Sequence, residues 1–366
     1  MKQILFLVFS GLLIISCKEG SNPKFITGIN ADGSCYKEIV AKGDSAFIVG
    51  DTAKSNPFQV ELDSSWQITW SYISPEIHND WPLKEWKWDT THKDSPMLVK
   101  ARKEYNSVKE MDSLFKLHPK HPWRNFTPDC KLEKKFRWFY TYYSYSENYQ
   151  KINTFHRIPI EKYMSKEEAE FWFNGKLDLI KGMTGIEIND EAQRIEEKFN
   201  RWFIHNILDA QYDALLEKYD SIKGIKIEKQ KLITYKDSAL EYCISYLHKD
   251  KDIDLTTYLD KYFKTGVFSK YNANNKLKEV EDKILSEFIG YFDPSMDYNL
   301  IMPGEILYSD NIINKGDTLA VNLTAYRMVY SNYRIAATSR KPNTWAFVVT
   351  GIIVLLAVGS FFIRKK

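Results

Sequence analysis

The chain has 366 residues, of which 44% are hydrophobic and 27% are charged, a composition typical of a folded protein rather than a disordered one. With 51 basic and 48 acidic residues the formal net charge is only +3, which argues against a polybasic nucleic-acid-binding protein. Four cysteines exclude a small scaffold held together by disulfides. The common catalytic and phosphate-binding motifs are absent, so we expect a protein that is not an enzyme, and we assign no cofactor and no metal.

Residues 1–16 have the features of a signal peptide: Lys2 precedes an apolar run that is too short to cross a bilayer comfortably. The following residues, Ile14-Ile15-Ser16-Cys17, resemble the lipobox of bacterial lipoproteins. The resemblance implies that the Cys17 sulfur receives a diacylglyceryl group and that cleavage makes Cys17 the N-terminal residue, with a palmitate-type anchor. The alternative is an ordinary signal peptide with an incidental cysteine.

Residues 17–75 predict an N-terminal β segment. Runs at 25–30 and 35–41 flank the turn Asp32-Gly33-Ser34, and a short apolar run follows at 46–49. Apolar and polar residues then alternate over 66–72, which is typical of a half-buried strand.

Residues 76–292 predict a mainly helical insertion. Ser107 with Glu110, and Ser165 with Glu168, form the capping-box pattern that begins a helix, and Gly175 predicts an end for the second one. The strongest helical periodicity runs from 190 to 219. Further helices are predicted at three places: 230–248, 254–264 and 275–289.

The pattern returns to β in 293–343, where Leu319, Val321 and Leu323 alternate with polar residues. In the segment 344–366, the nineteen residues from Trp345 to Ile363 carry no charge and Arg364-Lys365-Lys366 follows them, which predicts a transmembrane helix with a basic cytoplasmic tail. We therefore expect an α+β fold: one antiparallel sheet built from the N- and C-terminal β segments, a large helical insertion, and one C-terminal transmembrane helix.

Three short motifs resemble LppM-type bacterial lipoproteins. They are the lipobox followed by a strand and the turn at 32–34, the segment Met302-Pro303-Gly304 with its following residues, and the segment 316–319 before the last strand and helix. The matched pieces cover about 60 residues and the two ends of the chain. The resemblance implies an α+β fold, membrane attachment and a role in binding envelope molecules, and it supplies no catalytic residues.

The aromatic-rich segment 136–149 is the candidate binding surface. A tyrosine or tryptophan combines an apolar body with a polar tip, so the segment could form a glycan-stacking platform, a lipid-contacting surface or a protein interface. The alternative is that one of its faces builds the core. The candidate residues are Phe136, Trp138, Tyr140, Tyr142 and Tyr145.

Other clusters favour structural roles. The pair His118 and His121 lies in a proline-containing loop and lacks a third metal ligand. A second polar cluster lies in a tryptophan-rich stretch and matches no mechanistic motif: His78, Asp80, Asp89 and His92. On the longest predicted helix, Trp202, His205 and Asp209 share one face, and a structural polar pair is favoured there. After lipidation of Cys17 three cysteines remain, Cys35, Cys130 and Cys243, which permits one disulfide or three buried thiols.

These observations lead us to expect a membrane-anchored extracytoplasmic lipoprotein that binds an envelope lipid, glycan or protein partner without catalysis. Its expected location is the cytoplasmic (inner) membrane, held by the lipid anchor and the single helix, with the main domain in the periplasm or outside the cell. A structural or regulatory subunit of a cytoplasmic-membrane complex and an envelope hydrolase are the alternatives.

Overall fold

A computed structural model describes residues 23–43, 45–48, 56–72, 81–82, 97–125, 127–152, 157–246, 254–292 and 294–363. The chain divides into two units. The helical unit comprises Lys151–Asp293 and Tyr326–Ser331, and the β unit comprises Gly20–Gln150, Pro294–Ala325 and Asn332–Lys366.

Twelve strands are described in the β unit, and they form two sheets. In chain order the strands are β1 (Lys24–Ile29), β2 (Cys35–Gly43), β3 (Gln67–Tyr72), β4 (Trp81–Pro82), β5 (Met97–Tyr105), β6 (Asp129–Phe136), β7 (Tyr140–Tyr149), β8 (Ser295–Ile301), β9 (Glu305–Asp310), β10 (Ile313–Asn314), β11 (Leu319–Thr324) and β12 (Tyr333–Pro342). The larger sheet has the order β10-β11-β8-β1-β2-β5-β3-β4, and the smaller has the order β6-β7-β12-β9. Three helices accompany them: α1 (Ser45–Ile48), α2 (Val108–Leu114) and α9 (Thr344–Ile363).

The prediction of one antiparallel sheet is wrong in two respects. First, β6, β7, β9 and β12 form a separate four-stranded sheet, and β5, β6 and β7 come from the segment that was expected to be mainly helical. Second, β1 pairs with β8 in parallel, with Phe25 opposite Tyr298. Parallel neighbours require a long crossover connection, and the chain between β1 and β8 supplies it by passing through the other elements.

The prediction of a transmembrane helix over 344–366 is also wrong. Within the ranges that the structure describes, no helix is both long and apolar enough to span a membrane.

The helical unit contains a helix at each place where its sequence predicts one, together with a short helix that was not predicted, Val267–Asn272. The helices are α3 (Lys166–Ala169), α4 (Gly185–Glu217), α5 (Lys229–Tyr246), α6 (Leu255–Phe263), α7 (Val267–Asn272) and α8 (Lys276–Phe292). Ser165 and Glu168 make both hydrogen bonds of the capping box at α3, and Gly175 ends that segment with a φ of 73°. The buried stripe of α4 packs against α5 and α8, which gives this unit its own apolar core.

Candidate functional site

The two faces of β7 have different environments because successive side chains of a strand point in opposite directions. On the inner face, the fully buried carboxylate of Glu147 accepts hydrogen bonds from the hydroxyls of Tyr145 at 2.6 Å and Tyr149 at 2.7 Å. A third hydroxyl, that of Tyr298 on β8, donates to Oε1 of Glu147 at 2.5 Å. Since β8 belongs to the larger sheet, Glu147 connects the two sheets.

The charge of Glu147 has a buried counterpart on the larger sheet. The Nζ atom of Lys37 lies 3.6 Å from Oε1 of Glu147 and donates a 2.7 Å hydrogen bond to the Thr27 hydroxyl. Burial alone would raise the pKa of Glu147, but Lys37 and the three tyrosine hydroxyls outweigh it and hold that pKa below its usual range. Glu147 is therefore an ionised carboxylate whose two oxygens both accept hydrogen bonds. Buried polar groups in folded proteins usually have such partners, so this arrangement indicates a structural role.

A small apolar cavity lies beside this network. It has a volume of about 50 Å³, and its lining includes Lys37, Phe115, Trp123 and Tyr298. Ligand pockets usually measure about 300–1,000 Å³, so this cavity is too small to hold a ligand of ordinary size.

The outer face of the smaller sheet has a floor of small side chains. Ser144 lies opposite Thr338, and Ser146 lies opposite Ala336, on the paired central strands β7 and β12. Directly paired residues project to the same face, so these four side chains lie together on the face opposite Glu147. The Oγ atoms of Ser144 and Thr338 are 3.3 Å apart, which places two hydroxyls side by side at the centre of the floor.

Longer side chains on the two outer strands form walls beside this floor. Lys131 and Glu133 of β6 pair with the two serines, and Tyr308 and Asp310 of β9 pair with Thr338 and Ala336. Tyr308 is 58% exposed. We call the arrangement the trough, with floor Ser144, Ser146, Ala336 and Thr338 and walls Lys131, Glu133, Tyr308 and Asp310.

Each end of the trough has an arginine. At one end Arg340 lies opposite Tyr142, stacks with its guanidinium 4.8 Å from the centre of the Tyr140 ring, and donates from Nε to Glu305 at 2.9 Å. At the other end Arg334 lies opposite Asn148. The Glu305 carboxylate fixes the guanidinium of Arg340, which raises the pKa of that arginine further.

The trough residues line a cleft with a volume of about 870 Å³. Its lining includes all the floor and wall residues, together with Arg334 and residues of the neighbouring turn and helix α2, such as Gly33, Ser107 and Lys109. The volume lies within the range of ligand sites. The lining combines hydroxyls, carboxylates and cations, so the cleft can both donate and accept hydrogen bonds, and the Tyr308 ring is exposed in it.

The predicted binding surface is divided among three environments. Tyr140 and Tyr142 lie on the outer face of the smaller sheet, on the strand that forms the floor. Phe136 and Trp138 are exposed at the tip of the β6–β7 hairpin. Tyr145 is only 1% exposed and belongs to the Glu147 network.

Sequence reasoning did not identify the trough. Tyr308 and Thr338 were not candidates, and β12 lies in the predicted β segment 293–343 without having been assigned as a separate strand. The available signal was the alternation in 333–342, where Arg334, Thr338 and Arg340 point outward while Ile335 and Ala337 are buried.

The other predicted clusters have local structural partners. The ring of His121 is buried, and its Nδ1 accepts from the Trp123 backbone N–H at 3.0 Å, while Nδ1 of His118 accepts from the Lys120 N–H. On α4, Nδ1 of His205 lies 2.8 Å from the Tyr163 hydroxyl. Asp209 instead pairs with Arg157 and Lys236, so His205 and Asp209 do not act as a pair.

The three described cysteines are buried free thiols. Burial raises the pKa of Cys35 to about 11 and that of Cys243 to about 12, and it also raises the pKa of Cys130, so none of them is an activated nucleophile. No group of three or more metal-ligating side chains occurs within the described ranges. Cys17 and the cluster of His78, Asp80, Asp89 and His92 lie outside the described residues.

Comparison with models of protein families, with curated proteins and with solved structures gives no match.

Proposed function

We propose that this chain is an exported, lipid-anchored binding protein whose β unit holds a glycan in the trough. The observation that carries the proposal is the floor of small hydroxyl-bearing side chains between walls that include the exposed Tyr308 ring. A sugar has hydroxyls that donate and accept hydrogen bonds and a C–H face that packs on an aromatic ring, and the trough offers groups for both.

The charges of the lining favour a glycan over the other ligand classes that the sequence suggested. Lys131 and Arg334 stand with Glu133 and Asp310 around the floor. Lys131 also pairs with Asp129. An acyl chain in the cleft would remove water from these charged groups without offering a hydrogen bond, and each charge that it leaves unpaired costs several kcal/mol. A sugar hydroxyl can replace water as a hydrogen-bond partner for either sign of charge.

The anchoring part of the proposal rests on the lipobox-like sequence ending in Cys17. A lipid on Cys17 would hold the chain at a membrane surface outside the cytoplasm. The earlier assignment to the cytoplasmic membrane depended on a spanning helix, and we do not retain it. The proposal requires only that the β unit meets its glycan at the cell envelope.

Glycan binding is tested with the full chain, purified in a detergent without a sugar headgroup and applied to an array of immobilised bacterial and host oligosaccharides. Tyr308→Ala should lower the affinity for the bound oligosaccharides about tenfold, because aromatic packing on one ring contributes about 1.4 kcal/mol. Leu307→Ala is the matched control, since Leu307 is an exposed neighbour on the same strand. It should change the affinity less than twofold.

The proposal fails if no oligosaccharide is retained above background. It also fails if Tyr308→Ala and Leu307→Ala bind the same oligosaccharides with the same affinity as the unchanged chain.

A further inference from the structure

The tip of the β6–β7 hairpin exposes several large aromatic side chains. Phe136, Trp138 and Phe139 are between 38% and 57% exposed. The turn itself is closed by a 2.8 Å hydrogen bond from the Arg137 N–H to the Tyr140 carbonyl oxygen. Exposing three large aromatic side chains together in water is unfavourable by about 25 cal/mol for each Å² of apolar surface, so such a patch usually marks an interaction surface.

Hydrogen bonds join Asn343, the residue before helix α9, to this tip. The side-chain amide of Asn343 donates to the carbonyl oxygens of Arg137 at 2.7 Å and Trp138 at 3.1 Å, and its backbone N–H donates to the Phe139 carbonyl at 2.8 Å. The Thr141 hydroxyl donates to Oδ1 of Asn343 at 2.9 Å. Four hydrogen bonds through one residue therefore hold the hairpin tip and the helix start together.

Ring contacts order the aromatic side chains without burying them. Trp345 lies 5.2 Å from Trp138 and 6.4 Å from Phe136, and Phe347 lies 4.8 Å from Phe139, between ring centres. Trp345 and Phe347 remain about half exposed. We call this set the aromatic tip: Phe136, Trp138, Phe139, Trp345 and Phe347.

The directions of the exposed side chains indicate what the tip contacts. Trp345, Phe347 and Val348 are exposed on α9, and at about 100° per residue they point to widely separated sides of the helix. A globular protein partner covers one side of a helix. A lipid layer surrounds whatever enters it, so it can cover all of these directions.

The positive charge beside the aromatic tip also favours contact with a lipid layer. Residues 134–142 and 339–348 contain five basic residues and no acidic one: Lys134, Lys135, Arg137, Arg340 and Lys341. One of them, Arg340, is paired with Glu305. Aromatic rings beside basic side chains are typical of the headgroup layer of a bilayer, where the rings lie at the apolar boundary and the cations meet anionic headgroups.

We propose that the aromatic tip lies in the headgroup layer of a lipid bilayer and so docks the β unit on a membrane surface. This inference deepens the proposed membrane attachment and is independent of what the trough binds. The contact is interfacial: the rings are buried at the boundary between headgroups and acyl chains.

The test measures position in the bilayer rather than partitioning, so it does not depend on whether Cys17 carries a lipid. The full chain is reconstituted into vesicles of phosphatidylcholine with one quarter phosphatidylglycerol. Tryptophan emission is then compared with and without lipids that are brominated close to the headgroup. Trp138→Phe should lower the quenched part of the emission by about half, because Trp138 and Trp345 are the two tryptophans at the tip.

Trp66→Phe is the matched control, because Trp66 lies in the β unit but is buried. It should lower the total emission and leave the quenched part unchanged. Both replacements keep an aromatic ring, so the fold should survive, and an unchanged urea midpoint verifies this. The inference is overturned if bromolipids quench neither tip tryptophan while iodide in solution quenches Trp138. Glycan binding by Trp138→Phe should equal that of the unchanged chain, which separates this test from that of the trough.

Discussion

The hydroxyl of Tyr298, on the eight-stranded sheet, donates a 2.5 Å hydrogen bond to the carboxylate of Glu147, on the four-stranded sheet. This contact, with Lys37 beside it, fixes the inner face of β7 against the larger sheet. The serines that alternate with Glu147 along β7 then necessarily face outward. A buried polar network on one face of the strand therefore positions the candidate binding floor on the other.

Replacing Glu147 by glutamine should destabilise the β unit strongly. The variant leaves the Lys37 ammonium buried without its counter-charge, and breaking a buried ion pair in this way costs about 3–5 kcal/mol. Tyr298→Phe removes one hydrogen bond to a charged group and should cost about 1.5–3 kcal/mol. Urea denaturation of each variant, followed by tryptophan fluorescence, gives the change in the free energy of unfolding.

A double variant tests whether the cost comes from the unpaired charge. Lys37→Met with Glu147→Gln removes both charges, keeps an acceptor oxygen for the tyrosine hydroxyls, and should be more stable than Glu147→Gln alone, because no buried charge is left without a counter-charge. If the double variant is less stable than Glu147→Gln, the ion-pair explanation is wrong.

His121 should make the stability of the β unit depend on pH. Burial lowers its pKa from 6.5 to about 4, helped by repulsion from His118. The folded chain therefore keeps this ring neutral where the unfolded chain binds a proton. Stability is fully present above pH 6.5, falls as the pH falls from 6.5 to 4 by at most about 1.4 kcal/mol per pH unit, and then levels off.

The comparison with His121→Asn isolates this contribution. Asparagine can accept a hydrogen bond but does not titrate, so the variant should lose less stability between pH 6.5 and pH 4. Burial also lowers the pKa of His205 in the helical unit, and the difference between the two chains removes that shared effect. Identical pH profiles of the urea midpoint would show that His121 is not responsible.

The turn before β9, the strand that carries Tyr308, contains Gly304, whose backbone lies very close to Arg340. Gly316 also has a positive φ but has open space around it, so it is the comparison. A Cβ added to Gly304 would lie 2.2 Å from the carbonyl oxygen of Arg340, whereas a Cβ added to Gly316 would meet nothing within 4 Å. Both positions have left-handed backbone, with φ of 81° and 90°. Gly304→Ala should therefore lower the free energy of unfolding by about 1–3 kcal/mol more than Gly316→Ala. Gly316→Ala introduces only the strain of a left-handed backbone at alanine and no steric clash. Equal thermal midpoints for the two variants would contradict the close approach.

The elements with local signals were predicted well. The capping box at Ser165 and the periodicity of 190–219 match helices α3 and α4, because each signal lies in or directly before the segment that forms the helix. The run at 46–49 was predicted as a strand, but Ser45–Ile48 is helical, since four apolar residues carry no periodicity that distinguishes the two structures.

The candidate site was largely invisible in the sequence for a physical reason. Tyrosines stand on both faces of β7, with Tyr142 outward and Tyr143 inward, so the alternation of polar and apolar residues is missing there. The trough also depends on pairings between strands that are far apart in the chain, such as Thr338 with Tyr308 and Ser144. Its floor consists of small side chains, which show no distinctive chemistry until the sheet brings them together.

The mature N-terminus tests the anchoring proposal. If the lipobox-like sequence is used, mass spectrometry of the chain purified from its native membrane should give an N-terminal peptide that begins at Cys17 and carries acyl chains. Cys17→Ser should abolish the acyl modification. An intact Met1 followed by an unmodified Cys17 would contradict the proposed anchor and leave the trough proposal unaffected.

The most direct test of the central claim is to fill the trough. Ser146 lies on its floor, so Ser146→Trp should place a large ring where the glycan is proposed to bind, whereas Ser146→Ala leaves the space open. The measurement is the affinity of each full-length variant for an oligosaccharide retained by the unchanged chain, after urea denaturation has verified folding. We predict at least a hundredfold weaker binding for Ser146→Trp, about 2.8 kcal/mol or more, and a change below threefold for Ser146→Ala. A folded Ser146→Trp variant that binds as tightly as the unchanged chain would contradict the account.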